Sequence, residues 1–374
     1  MLGRERIWKG WMVMAKKILK WVGAVLGAAV LAAVALVVWL TVGEYRPAAV
    51  EAVEVNRTGA PKQVFLSPGG SLTVVSQNTG YAGLGAGSDF FMDGGTDVAP
   101  TREQLEANQN GLSAQLEGQD ADVYFLQEVD VNSGRTRSVD QSGIYWSALN
   151  SDGAGAYSSS HALNYSCDFV PIPWPPMGKV HSGLQTLTRL YVSEARRIAL
   201  PCPFSWPVSA ANLKRCLLVD YVPLEDSDKQ LVLVNLHLEA YDDGEGKAAQ
   251  TKMLMDFLTG EYEKGNYVIA GGDFNQTFPG ALDAFPIQGP DLWTPGVLEE
   301  GILPQGWQFA CDLSVPTCRL LNHPYDPEPA GNQFYVIDGF ILSPNVRLDR
   351  VETLDYQFQY ADHNPVAIEV TLEP

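Results

Sequence analysis

The chain has 374 residues, 46% of them hydrophobic, and a formal net charge of −19, a length that holds a membrane anchor with one large domain or two small ones. The charge is uneven: residues 1–20 carry six bases and one acid, leaving 19 bases against 43 acids, a net −24, in the rest. A body so acidic argues against nonspecific gripping of long nucleic acid, which calls for a basic face.

The first element in chain order is the uncharged run 21–43, almost entirely Ala, Val, Leu, Gly and Trp. At about 1.5 Å per helical residue it spans the roughly 30 Å hydrocarbon core of a bilayer. Trp21 and Trp39 stand near its two ends, where interfacial aromatics are enriched. Arg4, Arg6, Lys9, Lys16, Lys17 and Lys20 precede it, which places the short N-terminus in the cytoplasm and carries the remainder across. A cleavable signal peptide is the alternative, because Ala48 and Ala49 follow; its apolar core is usually only about 7–15 residues.

Residues 44–70 read as a linker. Leu72-Thr73-Val74-Val75 is a short β-rich apolar run, and a glycine-rich loop covers 80–95. Thr101 with Gln104 forms a capping-box signature, and Leu105, Leu112 and Leu116 give the helix that follows one apolar face. Val123-Tyr124-Phe125-Leu126 is a second buried strand. Further strand-like runs lie at 183–190, 216–222, 231–236, 267–270, 334–342 and 366–372, with a helix expected over 246–262. The proline-rich 171–176 and the segment 280–333 read as loop insertions. The expected organisation is a cytoplasmic basic N-terminus (1–20), a transmembrane anchor (21–43), a linker (44–70) and one α/β domain (71–374).

Cys167, Cys202, Cys216, Cys311 and Cys318 form no C-x-x-C pair or Cys/His cluster of the kind that binds zinc. Cys311 and Cys318 flank a proline-containing loop and are candidates for a local disulfide. N-x-S/T sequons occur at Asn56, Asn164 and Asn275.

Several strand runs end in polar residues, and strand ends are where chemistry is commonly mounted. The Leu72 run leads into Ser76-Gln77-Asn78. The Val123 run leads into Gln127-Glu128, and the Leu231 run into Asn235-Leu236-His237-Leu238. Val268-Ile269-Ala270 leads into Gly271-Gly272-Asp273-Phe274-Asn275. Tyr335-Val336-Ile337-Asp338 and Tyr360-Ala361-Asp362-His363-Asn364 follow near the C-terminus.

These pieces, in this order over roughly residues 70–374, resemble the endonuclease/exonuclease/phosphatase superfamily. It includes pancreatic-type deoxyribonuclease, abasic-site endonucleases, neutral sphingomyelinases and inositol polyphosphate 5-phosphatases. The resemblance implies a four-layered α/β/β/α sandwich of two mixed β-sheets with helices outside, and a site at one end of the sheets. It implies Glu128 as principal ligand of Mg²⁺, with Mn²⁺ as an alternative, supported by Asn78. Asp362 then serves as a metal-site or water-orienting carboxylate. Hard oxygen donors suit such a cation.

By the same resemblance, Asp273 and Asn275 orient or deprotonate the attacking water and hold the phosphate. One residue apart on extended chain, they point to the same side. His237 and His363 fall in the positions of the catalytic histidines, and a protonated imidazole donates two hydrogen bonds to phosphoryl oxygens. Asp338 corresponds to the carboxylate that fixes the last histidine's tautomer, and Arg215 to an arginine that contacts substrate phosphate. His181, ahead of the 183–190 run, lies toward the expected substrate side.

The activity implied is metal-dependent phosphodiester hydrolysis outside the cytoplasm, at a plasma membrane crossed once by the N-terminal helix. The substrate is left open between nucleic acid and a lipid headgroup. A surface nuclease, a phospholipase C or sphingomyelinase-like lipid hydrolase and a phosphomonoesterase compete, with a non-catalytic binding module as a further alternative. No protein partner is expected. Glycosylation at Asn275 would block such a site, which points to a bacterial source.

Overall fold

The computed structural model describes residues 2–57, 64–151, 156–242, 244–328 and 331–374, with backbone only for 2–7. Residues 58–63 of the expected linker and the side chains of Arg4, Glu5 and Arg6 lie outside the described residues.

The alternation of side chains along each strand dictates the layering. Leu231 and Leu233 pack into one core, whereas Val232 and Val234 pack into another. Two seven-stranded mixed sheets follow from such two-faced strands. The first runs in the order Val50–Val53, Glu194–Ala199, Cys216–Pro223, Gln230–His237, Tyr267–Asp273, Asp338–Leu342, Gln308–Ala310. The second runs Val346–Thr353, Val366–Leu372, Ser71–Asn78, Val123–Asp130, Gly178–Thr188, Ser158–Val170, Val55–Asn56.

The sheets face each other across a core that includes Val74, Phe125, Leu233, Ile269, Phe340 and Ile368. Helix Glu245–Glu263 covers the outer face of the first sheet with Leu254 and Leu258. Helix Arg102–Gln119 covers the second with Leu105, Leu112 and Leu116, and its Thr101/Gln104 capping box is present in full. Each helix is the crossover between two parallel neighbouring strands, the connection that parallel pairing requires. The expected α/β/β/α sandwich is therefore the architecture observed.

Some expectations are corrected. The single strand expected over 334–342 is two, Phe334–Tyr335 and Asp338–Leu342, in different sheets. The Thr317 hydroxyl takes the backbone N–H groups of Ile337 (3.0 Å) and Asp338 (3.2 Å), which breaks the run. Residues 50–56, within the expected linker, add an edge strand to each sheet. All five cysteines are free, including Cys311 and Cys318.

The N-terminal helix, Leu2–Val42, is long and apolar enough to cross a membrane by length and composition. Residues 8–35 of it are exposed and stand clear of the domain. Leu36, Val37, Leu40 and Thr41 form a half-buried face at its C-terminal end, the i, i+1, i+4, i+5 stripe of a helix that docks on one side. Leu40 packs against the cluster of Cys167, Val170 and Val180. The indole of Trp206 donates to Thr41 Oγ1 (2.9 Å), Trp39 packs against Phe169, and Lys214 pairs with Glu44 (2.8 Å).

Candidate active site at the ends of the two sheets

Strand register brings the polar strand ends together. Asp273 lies opposite His237 in the parallel pair and opposite Asp338 in the antiparallel pair. Asn78 and Glu128 reach the same place from the facing sheet, and Asp362-His363 enters from the turn before Val366–Leu372.

Local backbone makes this convergence possible. Gly272 has φ +149°, and a Cβ there would meet the Leu236 carbonyl oxygen at 1.9 Å, so only glycine permits the adjoining strands to approach so closely. A Cβ on Gly271 would strike the Phe340 ring at 2.3 Å. The Gly-Gly before Asp273 is thus a packing requirement of the strand that presents it. Glu128 sits in an irregularity of the Val123–Asp130 strand with φ +55°. A residue with a Cβ is costly there, and such a bulge re-aims its side chain. Asn275 is also left-handed, at φ +49°.

Asp273 is the hub. Its Oδ2 accepts from Asn78 Nδ2 (3.0 Å) and lies 3.5 Å from His237 Nε2 and 3.8 Å from His363 Nε2. Its Oδ1 accepts the Asn275 backbone N–H (2.8 Å). Asn78 Nδ2 also donates to Glu128 Oε1 (3.2 Å) within its own sheet, while its bond to Asp273 ties the two sheets together. His363 Nδ1 is bonded to Asp338 Oδ2 at 2.8 Å, which fixes the ring and turns Nε2 into the cleft. Asn275 spends one amide hydrogen on the Leu238 carbonyl (2.9 Å); its Nδ2 carries a second.

Arg215 is buried beside the cluster. Its Nη1 donates to the His237 carbonyl (3.3 Å), and its Nε lies 3.5 Å from Glu239 Oε2. All nine expected residues therefore line or adjoin one site. His181 does not: its nearest charged partner is Asp168, at 3.6 Å.

Burial and charge set the protonation of these groups. Burial, reinforced by the Asp338 carboxylate, raises Asp273 above the usual carboxylate range against the pull of His363. Burial raises Asp362 as well, with His363 opposing and Glu128 adding to the rise. Burial, with Arg215 and His363 nearby, holds His237 well below its ordinary value, hence neutral. His363 goes the other way: burial opposes its charge, but Asp338 and Asp362 outweigh burial and keep it protonated.

The donor set suits a divalent cation. Among the described residues Asp362 Oδ1 is buried without a hydrogen-bond partner, against Gly80, and Glu128 is close enough to repel it. Two carboxylates facing each other, one with an orphaned oxygen, fit a hard cation that would neutralise both. Asp273, Asp338 and His363 also place ligand atoms within 4.8 Å of one another. There, however, the His363 Nδ1 lone position is already taken by Asp338, so that trio reads as a hydrogen-bonded relay.

The sequence reading missed other residues of the site. Glu239 stands two residues after His237, and period-two alternation on an extended strand was the available signal. Arg135 pairs with Asp130 (2.9 Å), stacks over the Tyr81 ring at 3.6 Å and borders the same cleft. Buried Arg319 donates to the Gly85 and Ser88 carbonyls, holding the glycine-rich loop at the rim. The Tyr81 ring under Arg135 and the Gly85 and Ser88 carbonyls bonded by Arg319 come from distant segments, which no local pattern marks.

No family model matches the sequence, and no curated protein matches it. Solved structures do. An endonuclease/exonuclease/phosphatase from Beutenbergia cavernae superposes with a TM-score of 0.55 at 16% identity, over 81% of this chain and 72% of that one. One from Bacteroides vulgatus gives 0.51 at 14% identity, over 81% and 99%. A family protein from Leptotrichia buccalis gives 0.50 at 14% identity, over 80% and 99%. The likeness is one of fold: the chain has the fold of the endonuclease/exonuclease/phosphatase proteins.

Proposed function

We propose that this protein is a divalent-metal-dependent phosphodiester hydrolase. The observation that carries the reading is the Asp273 hub, a buried carboxylate shared by Asn78, His237 and His363 at the floor of an open cleft.

Each residue has a role that its contacts suit. Asp273, with its raised proton affinity, takes a proton from the attacking water, as a general base works best near the operating pH. Asn78 and the Asn275 backbone N–H hold that carboxylate in place. His363, fixed by Asp338, offers Nε2–H to a phosphoryl oxygen as negative charge builds there. His237 and the second amide hydrogen of Asn275 present further donors, and Arg215 adds positive charge behind His237.

In the hydrolysis, the water oxygen bonds to phosphorus, one P–O ester bond breaks, and the leaving oxygen ends with a proton. Mg²⁺ or Mn²⁺ held by Glu128 and Asp362, with Asn78 beside them, would supply Lewis-acid stabilisation of the anionic oxygens. The reading places residues 71–374 outside the cytoplasm, on a helix that crosses the plasma membrane once, in a bacterial cell. The apolar run and the basic residues before it support that orientation.

The test is cleavage of bis-p-nitrophenyl phosphate by the full-length protein in Mg²⁺ or Mn²⁺, against EDTA. Metal-dependent turnover that collapses in Asp273→Ala and His237→Ala is expected. Folded variants with unchanged turnover would overturn the site assignment.

A further inference from the structure

The cleft that holds the Asp273 hub has a volume of about 620 Å³, the size of a small-molecule site. Its floor is polar, with Glu128, His237, Asp273, Asp362 and His363. Its flank toward the N-terminal helix is not. There it is walled by Val170, Ile172 and Met177 from the proline-rich loop and by Phe204, Val208 and Ala211 from the segment before Arg215. The far end of this wall is the helix itself, through Leu36, Val37 and Leu40.

The loops that form the wall also project apolar side chains into open space beside the helix end: Trp174 is 90% exposed, Ile172 67%, Trp206 61% and Val208 56%. Large apolar side chains in that number, beside a segment able to cross a bilayer, mark a surface made to meet a membrane or an apolar ligand. The body meanwhile carries a net −24, which repels a long polyanion instead of drawing it in.

Building on the phosphodiesterase reading, we infer that the substrate is a lipid phosphodiester of the membrane in which the helix sits. Its phosphate lies at the polar floor, and its hydrocarbon tail lies in the apolar passage toward Leu36, Val37 and Leu40. The helix is then a wall of the binding site as well as an anchor. The tail can stay within apolar surroundings from the bilayer edge to the reacting phosphorus.

The experiment uses the full-length protein in detergent micelles with Mg²⁺ and a series of alkyl 4-nitrophenyl phosphate diesters, methyl to octyl. Vesicles of phosphatidylcholine and of phosphatidylglycerol and a single-stranded DNA oligonucleotide complete the panel. In each chromogenic diester the water oxygen bonds to phosphorus and 4-nitrophenolate leaves, so one readout serves the whole series. The expected result is a kcat/KM that climbs with chain length, by up to about fourfold for each methylene that enters the passage. Vesicle lipid should be turned over as well.

In the double variant Ile172→Gln, Val208→Gln the octyl-to-methyl ratio of kcat/KM should fall by about tenfold, and in Ile172→Gln alone by less. Both positions are exposed, so the fold tolerates the changes. Turnover with a flat chain-length profile would overturn the lipid assignment while leaving the hydrolase reading intact, and faster cleavage of DNA would then make the enzyme a nuclease. Absence of turnover with every diester would overturn the hydrolase reading and the lipid assignment with it.

Discussion

Two buried carboxylates between the sheets of this protein, Asp220 and Asp273, stand in different surroundings. Asp220 lies within the sandwich, where its Oδ2 accepts from Ser160 Oγ (2.9 Å) across from the facing sheet; burial pushes it up to about 7. Asp273 lies at the end of the sandwich and is raised for the same reason, but it opens on a cleft. Two histidines, Asn78 and a carboxylate neighbour converge on it. Burial and a raised proton affinity are common to both. Convergence and access belong to Asp273 alone, and they are what separate a reactive group from a polar element of the core.

The contrast can be broken by substitution. The largest effect is expected at Asp273→Ala, with kcat on bis-p-nitrophenyl phosphate about a thousandfold lower because base and hub are lost together. A steady-state assay on protein shown to be folded by circular dichroism checks it. Next comes Asp338→Asn, which leaves a group that no longer fixes the charged His363. A drop in kcat of about 100-fold with little change in KM is expected, a split that a loss of substrate binding would not produce. Glu128→Gln should raise the Mg²⁺ concentration for half-maximal activity by about tenfold or more, since one charged oxygen ligand is removed. A metal titration of activity reads this directly.

Asp220→Asn should have the smallest effect on turnover, within about twofold of the parent, and its signature lies in stability instead. The sign follows from linkage. With a folded value of about 7 against an ordinary 3.8, folded Asp220 keeps a proton that the unfolded chain has released. Stability therefore falls as pH rises from about 4 to about 7 and is level beyond, by up to about 4 kcal/mol from this group. Urea denaturation between pH 4 and 8 should show the parent losing stability over that range, and the Asn variant losing less of it. A loss of activity in Asp220→Asn as large as that in Asp273→Ala would erase the distinction between the two acids.

The floor of the site was legible in the sequence for a simple reason. Asn78, Glu128, His237, Asp273 and Asp338 each end a run of apolar residues, and a polar residue at that point stands out against the strand before it. Strand register then did what no sequence pattern states, placing Asp273 opposite both His237 and Asp338. The wall was illegible because it is assembled from single side chains of loops far apart in the chain. Val208 and Ile172 become neighbours of one passage only once both hairpins and the helix end are folded together.

Strands escaped notice where their inward faces are polar. Ser158–Val170 opens on three buried serines, one of them the partner of Asp220, and so lacks the apolar run that marks a strand. Glu194–Ala199 buries Arg197, whose Nε donates to the Leu163 carbonyl (2.9 Å). Val346–Thr353 is an edge strand whose outward positions carry Arg347, Asp349, Arg350 and Glu352. The part played by the Gly-Gly ahead of Asp273 shows only in the packing. One glycine yields to the Leu236 carbonyl and the other to Phe340.

With Trp206 bonded to Thr41, Lys214 paired with Glu44 and Leu40 packed into the hairpin, the domain is fastened to the end of the N-terminal helix. A unit on a slack tether searches a hemisphere of solution. If the helix crosses a membrane as proposed, a unit mounted in this way patrols a plane, and its turnover would follow the surface density of its substrate in that plane instead of the bulk concentration.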